Sequence, residues 1–131
     1  MRPTMLAVAA ALLSACSGLM AEEPAWSPQP GANAVFDTVP GAAPENRLIV
    51  TDLNLAPDAV GEPHAHPWEE YLYVIAGSAL VGLDGAEPTV VAAGETFVIP
   101  ARVRHTPVAG PQGVRAIVVR VHLADEPVVL P

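Results

Sequence analysis

His64-Ala65-His66 sets two imidazoles two residues apart, and Glu70 follows at the same parity. In an extended segment, side chains at even spacing leave the backbone on one face, so positions 64, 66 and 70 point together. If Leu72 and Val74 continue that face, it is the interior of a barrel. Two neutral imidazoles and one carboxylate converging on a spot are the donors that first-row divalent metals accept. Glu69 has the opposite parity and is expected to face outward. A fourth donor has to come from a distant strand, as a barrel allows, because nonadjacent strands meet around one interior point. His105 is the expected fourth ligand. Three imidazoles and a carboxylate leave two positions of an octahedron free for water, substrate or dioxygen. The expected cofactor is one divalent ion, with Mn, Fe, Ni, Cu and Zn all compatible with the donor set.

The elements that must position these side chains are short apolar runs broken by turn residues. From Arg47 onward the runs are Arg47 to Leu55, Glu70 to Ile75, Ser78 to Leu83, Thr89 to Ala92, Thr96 to Ile99, Arg104 to Val108 and Val114 to Leu123. No helical stripe competes with them, so the fold class is all-β. Ala76-Gly77-Ser78, Asp84-Gly85, Ala93-Gly94-Glu95 and Gly110-Pro111-Gln112-Gly113 are expected to be turns. Seven strands at nearly even spacing favour a sandwich or barrel.

Two stretches together carry a resemblance. Asp58 to Gly77 resembles the first cupin motif, G-x5-H-x-H-x3-E-x6-G, with His64, His66, Glu70 and Gly77 in register and Asp58 in place of the first glycine. Gly94 to Ala109 resembles the second, G-x5-P-x-G-x2-H-x3-N, with Gly94, Pro100 and His105 in register. Arg102 stands where the second motif has its middle glycine, and Ala109 where it has asparagine. All four metal-ligand positions are kept, and the departures fall at turns and loops. The resemblance spans about Arg47 to Leu123 and implies a cupin double-stranded β-helix, a jelly-roll barrel. It implies a metal-dependent enzyme, oxygenase-like, acting on a small molecule. The alternative is a non-catalytic cupin of the cell envelope that binds a small molecule or a metal.

Other residues carry weaker expectations. His122 reads as an ordinary strand residue, and Tyr71 with Tyr73 as packing or surface residues on one face. Trp68 either walls the pocket mouth or caps the strand. Arg102 and Arg104 read as solvated rim charges, with attraction of an anionic substrate as the alternative.

The chain of 131 residues is one domain's worth. Met1-Arg2-Pro3-Thr4, the apolar run Met5 to Leu13 and the small residues after it form a signal-peptide pattern over residues 1–21. Leu13-Ser14-Ala15-Cys16 resembles a bacterial lipobox, which implies cleavage before Cys16 and a lipid anchor on its sulfur; cleavage after Ala21 is the competing reading. The expectation is therefore export, to the periplasm or to the membrane as a lipoprotein. Residues 22–46 carry five prolines and read as a linker or arm, in which Trp26, Val35 and Phe36 can pack a short piece onto the domain; residues 47–131 are the expected cupin domain. The only cysteine is Cys16, so the mature domain has no internal disulfide. Six arginines and no lysine against fourteen acids give a net charge of −8, which repels phosphate backbones and argues against nucleic acid as a partner. A homodimer paired through strand edges, and an edge or partner covered by residues 125–131, complete the expectations.

Overall fold

The computed structural model describes residues 29–131. The expected signal peptide, the lipobox at Cys16 and Trp26 lie outside the described residues. Six antiparallel strands follow: β1 Gly31–Thr38, β2 Asn46–Leu55, β3 Glu70–Leu83, β4 Thr89–Ala92, β5 Thr96–Ile99 and β6 His105–Leu123. No helix occurs among the described residues. The strand order is β1-β2-β6-β3-β4, with β5 also on β3.

The long strands β3 and β6 form a ribbon that bends in the middle. Its first half pairs Glu70–Gly77 with Val114–Arg120, and its second pairs Ala79–Leu83 with His105–Ala109. The register breaks between Val74 and Ala76 and again between Gly77 and Ala79. Strands β2 and β1 extend the first half on one side and β5 on the other, whereas β4 and the bridges Val60–Val108 and His64–His105 extend the second. The two halves thereby become the two faces of a jelly roll, and their inner side chains make the core. Val74 and Ala116 are wholly buried, with Leu72, Val81, Val91, Ile99, Val114 and Val118 around them.

Two expected turns are corrected by this ribbon. Ala76-Gly77-Ser78 and Gly110-Pro111-Gln112-Gly113 do not reverse the chain; they are facing bulges inside continuous strands. Both glycines have positive φ, +69° at Gly77 and +79° at Gly113, and a Cβ on Gly77 would stand 2.0 Å from the Gly113 carbonyl oxygen. A bulge bends a strand without ending its pairing, and only glycine allows so close a crossing. Asp84-Gly85 and Ala93-Gly94 are turns as expected.

The sheet also begins earlier than the expected domain start at residue 47. Gly31–Thr38 pairs with Leu48–Asn54. Pro30 and Pro40 bracket this stretch without interrupting it, so eight consecutive residues keep the backbone donors an edge strand needs.

Candidate metal centre

His64, His66, Glu70 and His105 come together at one end of the barrel. Their donor atoms all lie within 4.8 Å of one another, and the three imidazole centroids are 4.4 to 5.6 Å apart. His66, Glu70 and His105 are buried, and His64 is partly exposed.

Each position has a local cause. Glu70 opens β3 and shares its inner face with Leu72 and Val74. His64 and His66 are not in a long strand: only His64 makes a bridge, and the chain bends at Pro67-Trp68 before entering β3. The two imidazoles still converge because backbone bonds hold the segment at both ends. His64 N–H donates to the His105 carbonyl at 2.9 Å, His105 N–H donates back to His64 at 2.8 Å, and Arg102 N–H donates to the His66 carbonyl at 2.8 Å. The two separated stretches are thus bonded directly to each other beside their ligands.

The outer ring nitrogens decide what the inner ones can do. His64 Nδ1 faces the Glu62 carbonyl at 2.8 Å, His105 Nδ1 faces the Val103 carbonyl at 3.2 Å, and His66 Nδ1 faces the Val128 carbonyl. A carbonyl only accepts, so Nδ1 carries the proton in all three rings and each Nε2 keeps its lone pair. Such outer bonds fix the tautomer and orientation that a metal-binding imidazole needs.

Inside the cluster, His66 Nε2 lies 3.0 Å from Glu70 Oε2, and His105 Nε2 lies 3.9 Å from Glu70 Oε1. His105 Nε2 is buried with no hydrogen-bond partner. A buried acceptor left in this way costs ~1–3 kcal/mol unless something fills its lone pair. Burial, the largest influence, pushes the His105 imidazole below its ordinary pKa of 6.5, toward the neutral form that ligates. Burial alone raises the pKa of Glu70; the hydrogen bond and charge of a doubly protonated His66, with the charges of Arg120 and a protonated His105, outweigh it and hold the carboxyl below 4.5 while no metal is bound. Donors bound ~2.1 Å from one ion lie at most roughly 4.2 Å apart. The observed limit of 4.8 Å is close enough for small side-chain rotations to close it. The residues present fit a divalent ion.

Arg120 received no role from the sequence. It faces Glu70 directly across the β3–β6 ladder, with Nη1 3.3 Å from His66 Nε2 and Nη2 3.3 Å from Thr51 Oγ1. Its parity with the inward Val118 was the available signal, but alternation alone does not say that an inward arginine meets an inward glutamate. The last residues, expected to cover an edge or a partner, meet the His66 loop of their own chain. Leu130 N–H donates to the Ala65 carbonyl at 2.9 Å, and Trp68 Nε1–H donates to Glu126. Trp68 therefore pins the C-terminal segment across the His66 loop. Glu69 stays outside the cluster, and Arg102 and Arg104 are exposed. His122 is buried on the inner face but lies outside the cluster; its Nδ1 is 2.8 Å from the Leu123 carbonyl.

A cavity of about 30 Å³ adjoins Glu70 and His105, walled mainly by aliphatic side chains such as Leu53, Leu72, Val81 and Val114. The space is small and its walls are nearly all apolar, the kind of cavity that stays dry. His64 is the least buried of the four ligand candidates.

The architecture and this site are those of a small-barrel protein with a histidine-rich centre. The cupin domain family model matches residues 52–120, just over half of the chain, and the chain belongs to that family. The fold is similar to that of an oxalate oxidase in complex with the substrate analogue glycolate, at 28% identity and TM-score 0.57 over 76% of this chain and 53% of that one. KdgF from Halomonas sp. is similar at 26% identity and TM-score 0.51, over 67% of this chain and 74% of its own. An oxalate decarboxylase variant from Bacillus subtilis is similar at 27% identity and TM-score 0.54, over 70% of this chain but only 25% of the longer protein. No curated protein sequence matches the chain.

Proposed function

We infer that His64, His66, Glu70 and His105 hold one divalent first-row metal ion, and that the protein is a metal-dependent, oxygenase-like enzyme acting on a small chelating molecule, with small carboxylates as the first class to test. The observation that carries this reading is the orientation of the rings: every Nδ1 is turned to a backbone carbonyl, and the Nε2 atoms of His66 and His105 lie on Glu70's side of the cluster, where His105 Nε2 finds no hydrogen-bond partner. When bound, the ion supplies Lewis-acid polarisation and a template for a chelating ligand. The chain's own residues do the rest. The backbone carbonyls hold the imidazole tautomers, Arg120 steadies the Glu70 carboxylate, and the aliphatic wall excludes water behind Glu70 and His105. Similarity to the oxalate oxidase and the oxalate decarboxylase supports the choice of small carboxylates.

Elemental analysis of purified wild type and His66→Ala tests the centre. We expect close to one equivalent of metal in the wild type and little in the variant, with the fold retained because the aliphatic core does not include His66. Full metal retention in His66→Ala refutes the assignment. Oxygen uptake by the loaded protein with a panel of small carboxylates and phenolic chelators then separates turnover from mere binding. Export belongs to the same proposal and rests on the order of charged, apolar and small residues in 1–21. Mass analysis of the mature N-terminus distinguishes a lipid on Cys16 from cleavage after Ala21.

A further inference from the structure

The cavity of about 30 Å³ beside the cluster lies inside the barrel, against Glu70 and His105. Its aliphatic walls come from β2, β3, β5 and β6, among them Leu53, Leu72, Val81, Ile99 and Val114. Ala79 is the smallest residue of the wall, and both it and Val114 follow directly on the facing bulges of the ribbon. Strands bend at a bulge, and a short side chain beside the bend leaves space that its neighbours do not fill. Barrel interiors are otherwise packed with few voids, so a void against two candidate metal ligands has a chemical consequence.

The wall selects what can sit there. An ordered water needs ~2–4 polar partners. Glu70 and His105 are the ionisable residues of the wall, and both belong to the donor set assigned to the metal. With those donors engaged, a water inside faces aliphatic carbon on nearly every side. An anion is excluded more strongly still, because burying an unpaired charge costs far more than burying a neutral polar group. The fitting occupant is small, uncharged and apolar. At about 30 Å³ the space exceeds the ~10–15 Å³ occupied by one water-sized sphere, which leaves room for a molecule of two heavy atoms. Dioxygen meets each condition: it carries neither charge nor dipole, and it dissolves better in hydrocarbon than in water.

We propose that this cavity is a binding site for dioxygen, held against Glu70 and His105 on the inner side of the candidate metal centre. The site rests on the oxygenase-like reading and adds to it a place where the gas collects before it reacts. A small carboxylate is kept out of the same space by its charge, so the two reactants do not compete for it. Ala79 sets the capacity of the site, since a longer side chain at that position projects into the void.

Methyl-resolved nuclear magnetic resonance of the full chain under dioxygen pressure, with argon as the reference, tests the proposal. Dissolved dioxygen is paramagnetic and speeds the relaxation of the methyl groups it touches. The protein is measured both metal-free and loaded with zinc, which is diamagnetic. In both forms the methyls of Leu72, Val81 and Val114 should relax several-fold faster than those of Val74 and Val118, which are as deeply buried but do not border the cavity. Ala79→Leu should abolish the difference while metal content and far-UV circular dichroism match the wild type. Ala79→Val adds less volume, should reduce the difference, and serves where the longer side chain disturbs the fold. Equal relaxation of the two sets of methyls overturns the site, as does a difference that survives both substitutions in folded protein. Overhauser contacts from a bound water to the same methyls in the zinc form overturn it too. Oxygen uptake tells this failure from failure of the enzyme reading: turnover of a carboxylate with equal methyl relaxation overturns the site alone, whereas a filled cavity without uptake by the loaded protein supports the site and counts against the oxygenase reading.

Discussion

Ending the chain after Ala124 removes the carbonyl that fixes the tautomer of His66 and leaves every core residue in place. The three bonds that tie residues 125–131 to the His66 loop disappear: His66 Nδ1 to the Val128 carbonyl, Trp68 to Glu126, and Leu130 N–H to the Ala65 carbonyl at 2.9 Å. His66 is then free to rotate or to carry its proton on Nε2, the nitrogen needed inside the cluster. Loss of such an outer partner of a metal-bound histidine costs about 10–100-fold in metal affinity, or roughly 1.4–2.7 kcal/mol. Competition against a chelating indicator near neutral pH measures it directly. The shortened chain should fall in that range below the full chain. Glu126→Gln, which leaves the Val128 carbonyl where it is, should lose much less. The urea midpoint of the metal-free protein should move less than that of the loaded protein, since the segment contributes to the site more than to the core. Equal affinity in the shortened and full chains would show that His66 is oriented from elsewhere, and the role given to Val128 would be wrong.

Three further predictions follow from the same geometry. Glu70→Gln should lower metal affinity by at least ~10-fold while Glu69→Gln leaves it unchanged, because only Glu70 belongs to the cluster; equal losses in the same titration would overturn the inward placement. The metal-free protein should lose stability as pH falls: the His105 imidazole is held below 6.5 when folded, so beneath 6.5 the unfolded chain takes up a proton the folded chain refuses, and Glu70 adds the same trend once pH drops below 4.5. Urea midpoints measured from about pH 7 to about pH 4 should decline throughout, and a maximum on the acid side would contradict the assignment. Gly77→Ala should cost more than ~3 kcal/mol or prevent folding, because it combines a positive φ with a Cβ 2.0 Å from a backbone oxygen, whereas Gly94→Ala, with φ +87° and open space, should cost only ~1–2 kcal/mol in thermal or urea unfolding.

How much of this could be read beforehand depends on whether the information is local. Alternation placed Glu70, Leu72 and Val74 on one face correctly, since period two is a property of the strand itself. It placed His64 and His66 by the wrong route, for that segment is a loop with one bridge, and convergence comes from its backbone bonds to Arg102 and His105. The glycines of 76–78 and 110–113 announced special backbone geometry but not its kind. A bulge and a turn use the same residues, and only the partner strand, some 35 residues away, decides between them. Gly31–Thr38 was read as part of an arm because its flanking prolines dominated the composition. What the sequence could not show was that the eight residues between them find an edge to pair with.

The places where the chain departs from the cupin motifs are explained by their backbone. Asp58 and Arg102 occupy two motif glycine positions, and they are the non-glycine residues with positive φ among the described residues, at 58° and 64°. The loop shape that those glycines serve is therefore kept, at a cost of ~1–2 kcal/mol for each side chain held in the left-handed region. Both positions are anchored by backbone bonds, the second of them at the site: Asp58 N–H donates to the Gly110 carbonyl at 3.1 Å, and Arg102 N–H to the His66 carbonyl at 2.8 Å. A left-handed residue persists only where its surroundings over-determine it. At Arg102 the surroundings include the carbonyl of a candidate metal ligand, so relaxing that residue would also release His66. The strain is retained where giving it up would loosen the one part of the barrel whose side chains have to meet at a point.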